Sequence, residues 1–206
     1  VRRRYLSWRA ALTGLVAVAT NVTELARATS PLHRAFRDLT EAERAETDPE
    51  EHARLMVREA RKISESFPEI ELWETNVDAM AMWLVKNPQD YGVLVASNMF
   101  GDIMSDLAAQ LVGGLGFAAS GNIGDEFAVF EPTHGSAPKY AGQYVVNPTA
   151  MLLATRLMLD WLGERETAKA LEQAIADVIA EGAVRTYDMG GDAGTLEMAQ
   201  AIADKM

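Results

Sequence analysis

Apolar positions return along this chain in two different rhythms. Over residues 147–162, 164–182 and 196–205 they recur every three or four residues, as Leu, Met, Ala and Ile stripes. That period predicts three amphipathic helices, with the stripes facing a core. Earlier, Asp48-Pro49-Glu50-Glu51 is a helix start: an Asp cap, Pro at the first position and acids in the first turn. The helix it opens should run to about Ser66, stop before Pro68, and bury Leu55, Met56, Ala60 and Ile63. Residues 77–85, VDAMAMWLV, read as a more uniformly apolar helix that ends before Asn87-Pro88. Between these helices lie short apolar runs of strand length. Residues 70–74 alternate, residues 91–97 contain Val93-Leu94-Val95 and predict a buried strand, and residues 127–131 predict another. A helix over 102–112 follows the second run. Residues 15–18 read either as a strand or as the end of a short helix begun near Ser7, and 21–47 lack a clean period.

Strands alternating with helices argue for an α/β fold. Gly113, Gly114, Leu115 and Gly116 form a flexible joint. They divide the chain into residues 1–112 and 113–206. No internal repeat or long low-complexity stretch is visible.

Composition narrows the class. With 206 residues, 49% hydrophobic and 24% charged, the chain can build one or two ordinary globular units. A net charge of −11 makes a general affinity for nucleic acid improbable. Residues 1–37 depart from that balance, with seven Arg against one Glu. There is no Cys, which excludes disulfides, thiolate zinc sites and cysteine nucleophiles and points weakly to the cytoplasm. Residues 1–20 mimic a signal peptide, with a basic start and an apolar core over 10–19. Trp8 and Arg9 interrupt the run-in, and no Met opens the sequence, so a signal peptide is not expected. No stretch reaches the length of a membrane span.

Three places carry candidate chemistry. In residues 98–106, NMFGDIMSD, Asp102 and Asp106 stand four apart, on one face of a helix. Two carboxylates held close repel unless a cation lies between them, and oxygen-only ligands suit Mg²⁺ or Mn²⁺. A solvated helix start, where Asp is welcome because of the dipole, explains the pair equally well. Asp78 opens the apolar helix and is either a cap or a third ligand. Residues 130–147, FEPTHGSAPKYAGQYVVN, are rich in Gly, Pro and small residues, which lets backbone N–H groups approach an anion. His134, Lys139 and Tyr140 add a ring, a cation and a phenol; a plain surface loop is the competing reading. Gly113, Gly114 and Gly116 follow a helix rather than a strand, so the dinucleotide fingerprint of a Rossmann fold is not present.

Taken together, VDAMAM, NMFGDIMSDLAAQLVGGLG, GNIGDE and HGSAPKYAGQ followed by Asn147-Pro148 resemble the metal-dependent β-decarboxylating dehydrogenases: isocitrate, isopropylmalate, homoisocitrate and tartrate dehydrogenases. The likeness runs from about Phe67 to the C-terminus, in order and with matching spacing. It implies an isocitrate/isopropylmalate dehydrogenase-like, non-Rossmann α/β fold, of which this chain is the C-terminal part. Residues 1–112 would form a smaller dimerisation domain with the acid-bearing helices. Residues 113–206 would form the C-terminal part of a larger cofactor-binding domain.

By the same resemblance, Asp102 and Asp106 are metal ligands of one subunit and Asp78 is contributed by the partner of a homodimer. His134, Gly135, Ser136, Ala137 and Asn147 match the loop around the cofactor's adenosine and phosphates. Lys139-Tyr140, with Tyr187 in VRTYD, resembles the grip on the 2′-phosphate of NADP; relatives that prefer NAD carry an acid at the position of Lys139. The stretch 190–195, GGDAGT, looks instead like the isopropylmalate and NAD branch, so NAD stays open as the cofactor. The implied reaction oxidises a 2-hydroxy acid, with isocitrate ahead of isopropylmalate. Hydride passes to the nicotinamide and the β-carboxylate then leaves as CO₂, with a divalent cation lowering the alcohol's pKa and stabilising the enolate.

Residues 1–66 match poorly. Where the family has a strand ending in His-Lys, this chain has Ala19 and Thr20, and no Lys precedes Lys62. Thr does not relay the hydroxyl proton at neutral pH as Lys does. Nothing here stands in for the family's substrate-binding arginines and catalytic tyrosine. A second expectation follows: a non-catalytic or regulatory relative that binds nucleotide and metal without turnover.

Overall fold

The computed structural model of the chain describes residues 49–68, 71–96, 98–124 and 126–206. The readings made for residues 1–20 and 21–47, including Ala19 and Thr20, lie outside them. The chain divides into two compact units, with the boundary between Trp83 and Leu84.

In the smaller unit, helix α1 (Pro49–Ser64) forms where the Pro-Glu-Glu start predicts it, with Arg61 and Lys62 favourably placed in its last turn. Leu55, Ala60 and Ile63 are half-buried. Arg61 donates from Nε and Nη2 to the two carboxylate oxygens of Glu74, at 2.5 and 2.7 Å. The pair is exposed and screened by water, and it ties Glu74 to the last turn of α1. No strand forms in 71–76, and Leu72 and Trp73 are exposed, which corrects the expectation for 70–74. Helix α2 (Val77–Lys86) follows and runs through the boundary, with Met80 and Leu84 buried one turn apart on one face.

The larger unit holds the rest. Residues 91–96 are irregular, and Val93, Leu94 and Val95 are 38%, 40% and 52% exposed, so the buried strand expected at 91–97 is not formed. A strand needs a neighbour for its N–H and C=O groups, and no described residue pairs with this one. Helix α3 (Asn98–Val112) begins earlier than expected, so that Asp102 and Asp106 sit inside it rather than at its start. Gly113 and Gly114 adopt positive φ (134° and 103°), and a 3₁₀ turn (Leu115–Phe117) brings Phe117 into the core.

Two strands come next, β1 (Ala119–Ile123) and β2 (Ala128–Pro132), antiparallel with Ala119 opposite Pro132 and Ile123 opposite Ala128. The sequence reading found β2 and missed β1, whose ASGNI has little strand propensity. Register explains it: Gly121 faces Phe130, whose ring lies where a Gly121 side chain would be, 3.1 Å from a built Cβ. The large side chain of one strand covers the bare backbone of the other.

Helices α4 (Thr149–Leu162), α5 (Arg165–Glu181) and α6 (Thr195–Ala203) match the three stripes. Helix α4 packs on both strands and on α5, and α6 packs on α5. The core is Phe117, Leu153, Leu171, Ala174, Ile175, Val178, Ile179, Met198 and Ile202. Each large side chain there contributes on the order of 1.5–3 kcal/mol by leaving water. Gly163 and Gly182 end α4 and α5 with φ of 93° and 64°, the left-handed cap that glycine accepts most cheaply.

Candidate functional site

The loop between β2 and α4 and the turn between α5 and α6 form the best-defined polar site of the larger unit. Gly135 and Ser136 lie exposed, and a Cβ built on Gly135 would meet nothing within 4 Å. The backbone there is open to an approaching anion. His134 is half-buried, with Nδ1 2.9 Å from the Gly135 carbonyl. Ala137 takes a left-handed conformation (φ 43°, ψ 58°), uncommon for a residue with a side chain, and from it the chain enters a 3₁₀ turn (Pro138–Tyr140). That turn sets Lys139 and Tyr140 side by side. Gln143 donates from Nε2 to the Lys139 carbonyl at 2.7 Å and holds the turn closed.

Tyr187 arrives from the far side of α5. Its ring centroid is 5.7 Å from that of Tyr140, with planes 38° apart. Lys139 Nζ lies 4.6 Å from the Tyr140 ring centroid, within cation–π range. Lys139, and then the Tyr187 hydroxyl, hold the Tyr140 phenol below its ordinary pKa. Partial burial, and then the Tyr140 hydroxyl, push Tyr187 up. Lys139, Tyr140 and Tyr187 therefore present one cation and two phenols to whatever binds there, a set suited to an anion.

Asn147 is different in kind. It is 6% exposed, and both ends of its carboxamide are engaged. Its Oδ1 accepts from the Thr149 backbone N–H at 3.0 Å, at the start of α4, and its Nδ2 donates to Asp188 Oδ2 at 3.0 Å. The second carboxylate oxygen of Asp188 accepts from the fully buried Thr186 hydroxyl. Gly116 comes so near that a Cβ on it would sit 2.6 Å from Asp188 Oδ2. The sequence reading gave Thr186 and Asp188 no role, and took Gly116 only as part of a flexible joint. The Thr-x-Asp within VRTYD was the available signal, since such spacing lets a hydroxyl reach a carboxylate two residues on.

The acids expected to bind metal stand on α2 and α3. Asp102 and Asp106 are both exposed on α3, and the helical spacing puts them on a common face. Asp78 is exposed in the first turn of α2, where its Oδ1 accepts from the Ala79 N–H at 2.8 Å. Among the described residues of a single chain, no three His, Asp or Glu side chains gather as a metal cluster. The resemblance asks only for two acids from one subunit and a third from another. No helix among the described residues is long and apolar enough to cross a membrane.

Comparison with known proteins gives these features a context. Residues 32–202 match the sequence model described as isocitrate/isopropylmalate dehydrogenase. The isocitrate/homoisocitrate dehydrogenase of Thermus thermophilus is 48% identical over 152 residues, covering 74% of this chain and 45% of that one. The 3-isopropylmalate dehydrogenase of Methanothermobacter thermautotrophicus is 50% identical over 142 residues, covering 69% of this chain and 43% of the relative. Among solved structures, the isocitrate dehydrogenase of Methylococcus capsulatus superposes with a TM-score of 0.71 at 45% identity, over 73% of this chain and 45% of that chain. This chain thus spans less than half the length of these relatives, and its α/β fold is theirs rather than a Rossmann fold. It belongs to the isocitrate/isopropylmalate dehydrogenase family.

Proposed function

We propose that this chain supplies the nucleotide grip and two of three metal ligands for the oxidative decarboxylation of a 2-hydroxy acid, in the cytoplasm. Isocitrate is the first candidate substrate and isopropylmalate the next. NADP is the preferred cofactor, ahead of NAD. The observation that carries the reading is the meeting of Tyr187 with Lys139 and Tyr140, two segments far apart in sequence, beside an exposed Gly135-Ser136 backbone. One cation with two phenol donors suits a phosphate on the ribose better than a free hydroxyl, which an acid at position 139 would bind.

Asp102 and Asp106 fit a hard divalent cation, Mg²⁺ or Mn²⁺. Both are exposed carboxylates, and neither forms an ion pair with a described residue. In this reading Asp78 completes the set from the partner of a homodimer, with residues 1–112 as the dimer-forming part and 113–206 as the cofactor-binding part. Asp102 and Asp106 would hold the cation, which would supply Lewis-acid polarisation, and residues 134–140 would hold the nicotinamide cofactor, which would supply the hydride acceptor. The chain's own residues position these groups. Residues 134–137 offer backbone N–H groups to the cofactor phosphates. Lys139, Tyr140 and Tyr187 fix its adenosine end, and the acids would hold the cation against which the substrate's oxygens line up.

A second reading, a nucleotide-binding relative without turnover, is favoured by Ala19 and Thr20 at the family's His-Lys position. One assay separates the two. The purified chain is given isocitrate, Mn²⁺ and NADP⁺, and reduced nicotinamide is followed by its absorbance. Turnover that fails in Asp106→Asn supports the dehydrogenase. Nucleotide and Mn²⁺ binding with no turnover supports the second reading, and binding of neither overturns both.

A further inference from the structure

We infer that Asp188, which touches no cofactor atom in the reading above, is the positioning residue that sets the site's preference for a 2′-phosphate. It does so by locking the Tyr187 turn to the base of the Lys139-Tyr140 loop. The inference rests on that reading of the site.

The argument is one of tethering. Tyr187 sits in a single 3₁₀ turn (Tyr187–Met189), and an isolated turn of that length has no stability of its own. Something must hold its ring 5.7 Å from Tyr140. The turn is closed from Thr186, whose carbonyl accepts from the N–H groups of Met189 and Gly191, both at 3.0 Å. Thr186 is in turn fixed by burial and by its hydroxyl on Asp188. Asp188 then crosses to the other loop through Asn147, which is itself locked to the start of α4. A hydrogen-bonded path from the base of the Tyr187 turn to the neighbouring loop thus runs through this carboxylate. It contributes both oxygens, one to each side.

Gly116 belongs to the same device. A side chain there would occupy the space of Asp188 Oδ2, so glycine at this position leaves the carboxylate room to reach Asn147. Thr195 supplies a separate tie further along the chain, its N–H and hydroxyl both on backbone carbonyls of Tyr144 and Val146. Loss of Asp188 therefore frees the Tyr187 turn without detaching α6. What is lost is the angle between two phenols, not the fold. A charge-assisted hydrogen bond to phosphate is worth about 1.5–3 kcal/mol, roughly ten- to a hundredfold in affinity, and only when the donor is already in place.

The test compares two probes, adenosine 2′,5′-bisphosphate and adenosine 5′-phosphate, titrated calorimetrically into the full chain and its variants. Wild type should bind the bisphosphate more tightly, and Tyr187→Phe sets the scale of the lost preference. Asp188→Ala should lower the bisphosphate-to-monophosphate ratio by about tenfold or more, leaving monophosphate affinity within about twofold. Should Asp188→Ala fold poorly, the near-isosteric Thr186→Val removes only the hydroxyl donor and should move the ratio the same way. Asp188→Asn, which keeps an acceptor for Asn147, should recover part of it. A merely structural role would weaken both probes alike. If wild type prefers the bisphosphate and Tyr187→Phe loses that preference while Asp188→Ala and Thr186→Val keep it, the inference fails and the site reading stands. If wild type shows no preference, the site reading fails and takes the inference with it.

Discussion

Residues 91–112 and residues 149–203 are comparably apolar in sequence but are handled in opposite ways by the fold. In α4, α5 and α6 the apolar stripes meet each other: Ile175 and Met198 are 0% exposed and Ile202 is 1%. Over 91–112, Val95, Met99 and Ile103 are 52%, 64% and 56% exposed, and among its described residues α3 buries Met104 and Ala109. Helices adjacent in sequence can cover one another through short turns, so the second region completes its core from its own chain. The first region contains a strand-like run that finds no ladder among the described residues, and a helix of which Met99, Phe100, Ile103 and Leu111 stay exposed. In the proposed homodimer this exposed apolar face is where the second subunit would pack. Stability resides in the later region. Two of the acids read as metal ligands, Asp102 and Asp106, stand in the earlier one.

The largest effect expected from this contrast is in the core. Ile175→Ala should cost about 2–5 kcal/mol in urea unfolding. Next comes the clamp at the start of α4. Asn147→Ala strands the buried Thr149 N–H and should cost about 1–3 kcal/mol by the same measurement. The earlier region should behave differently. Ile103→Ser should change stability by no more than about 0.5 kcal/mol while weakening self-association in sedimentation. Equal costs for Ile103→Ser and Ile175→Ala would break the comparison, because Ile103 would then be part of a core.

A smaller effect concerns proton equilibria. Lys139 holds the Tyr140 phenol below its ordinary pKa, so Lys139→Gln should move the first phenolate absorbance transition to higher pH. Tyr140→Phe should remove that transition and so identify it. A depressed folded pKa means that the Tyr140 contribution to stability is full above its unfolded value and is lost as pH falls through the folded one. Tyr187, raised by burial, has the opposite sign: its contribution is full below its unfolded value and is lost as pH rises through the folded one. The two act in opposite directions, so the alkaline dependence of stability should take the Tyr187 sign in Tyr140→Phe and the Tyr140 sign in Tyr187→Phe.

What the sequence made legible follows from the same contrast. The helices were readable because periodicity, Pro-Glu-Glu at a start and Gly at an end are local signals, and α4, α5 and α6 bury what their own stripes predict. The expectations for 70–74 and 91–97 failed because strand formation depends on a partner, and no period of apolar residues in one segment reveals whether a partner exists. The reverse held for β1, where Ser, Gly and Asn give no strand signal but Phe130 opposite Gly121 supplies the cover. At the site, Lys139, Tyr140 and Tyr187 were legible through their resemblance to a known motif. Asp188 was not, since its importance lies in two hydrogen bonds that only the closed fold brings together. Asn147 was expected at the cofactor, yet its side chain spends both polar ends on the protein itself.

The central claim is that the Lys139-Tyr140-Tyr187 cluster makes this chain a receptor for a dinucleotide bearing a 2′-phosphate. Calorimetric titration of the chain with NADP⁺ and, separately, NAD⁺ tests it without any need for turnover. NADP⁺ should bind about tenfold or more tighter than NAD⁺, and Lys139→Glu should abolish or invert that order. Equal affinities for the two nucleotides, unchanged by Lys139→Glu, would contradict it.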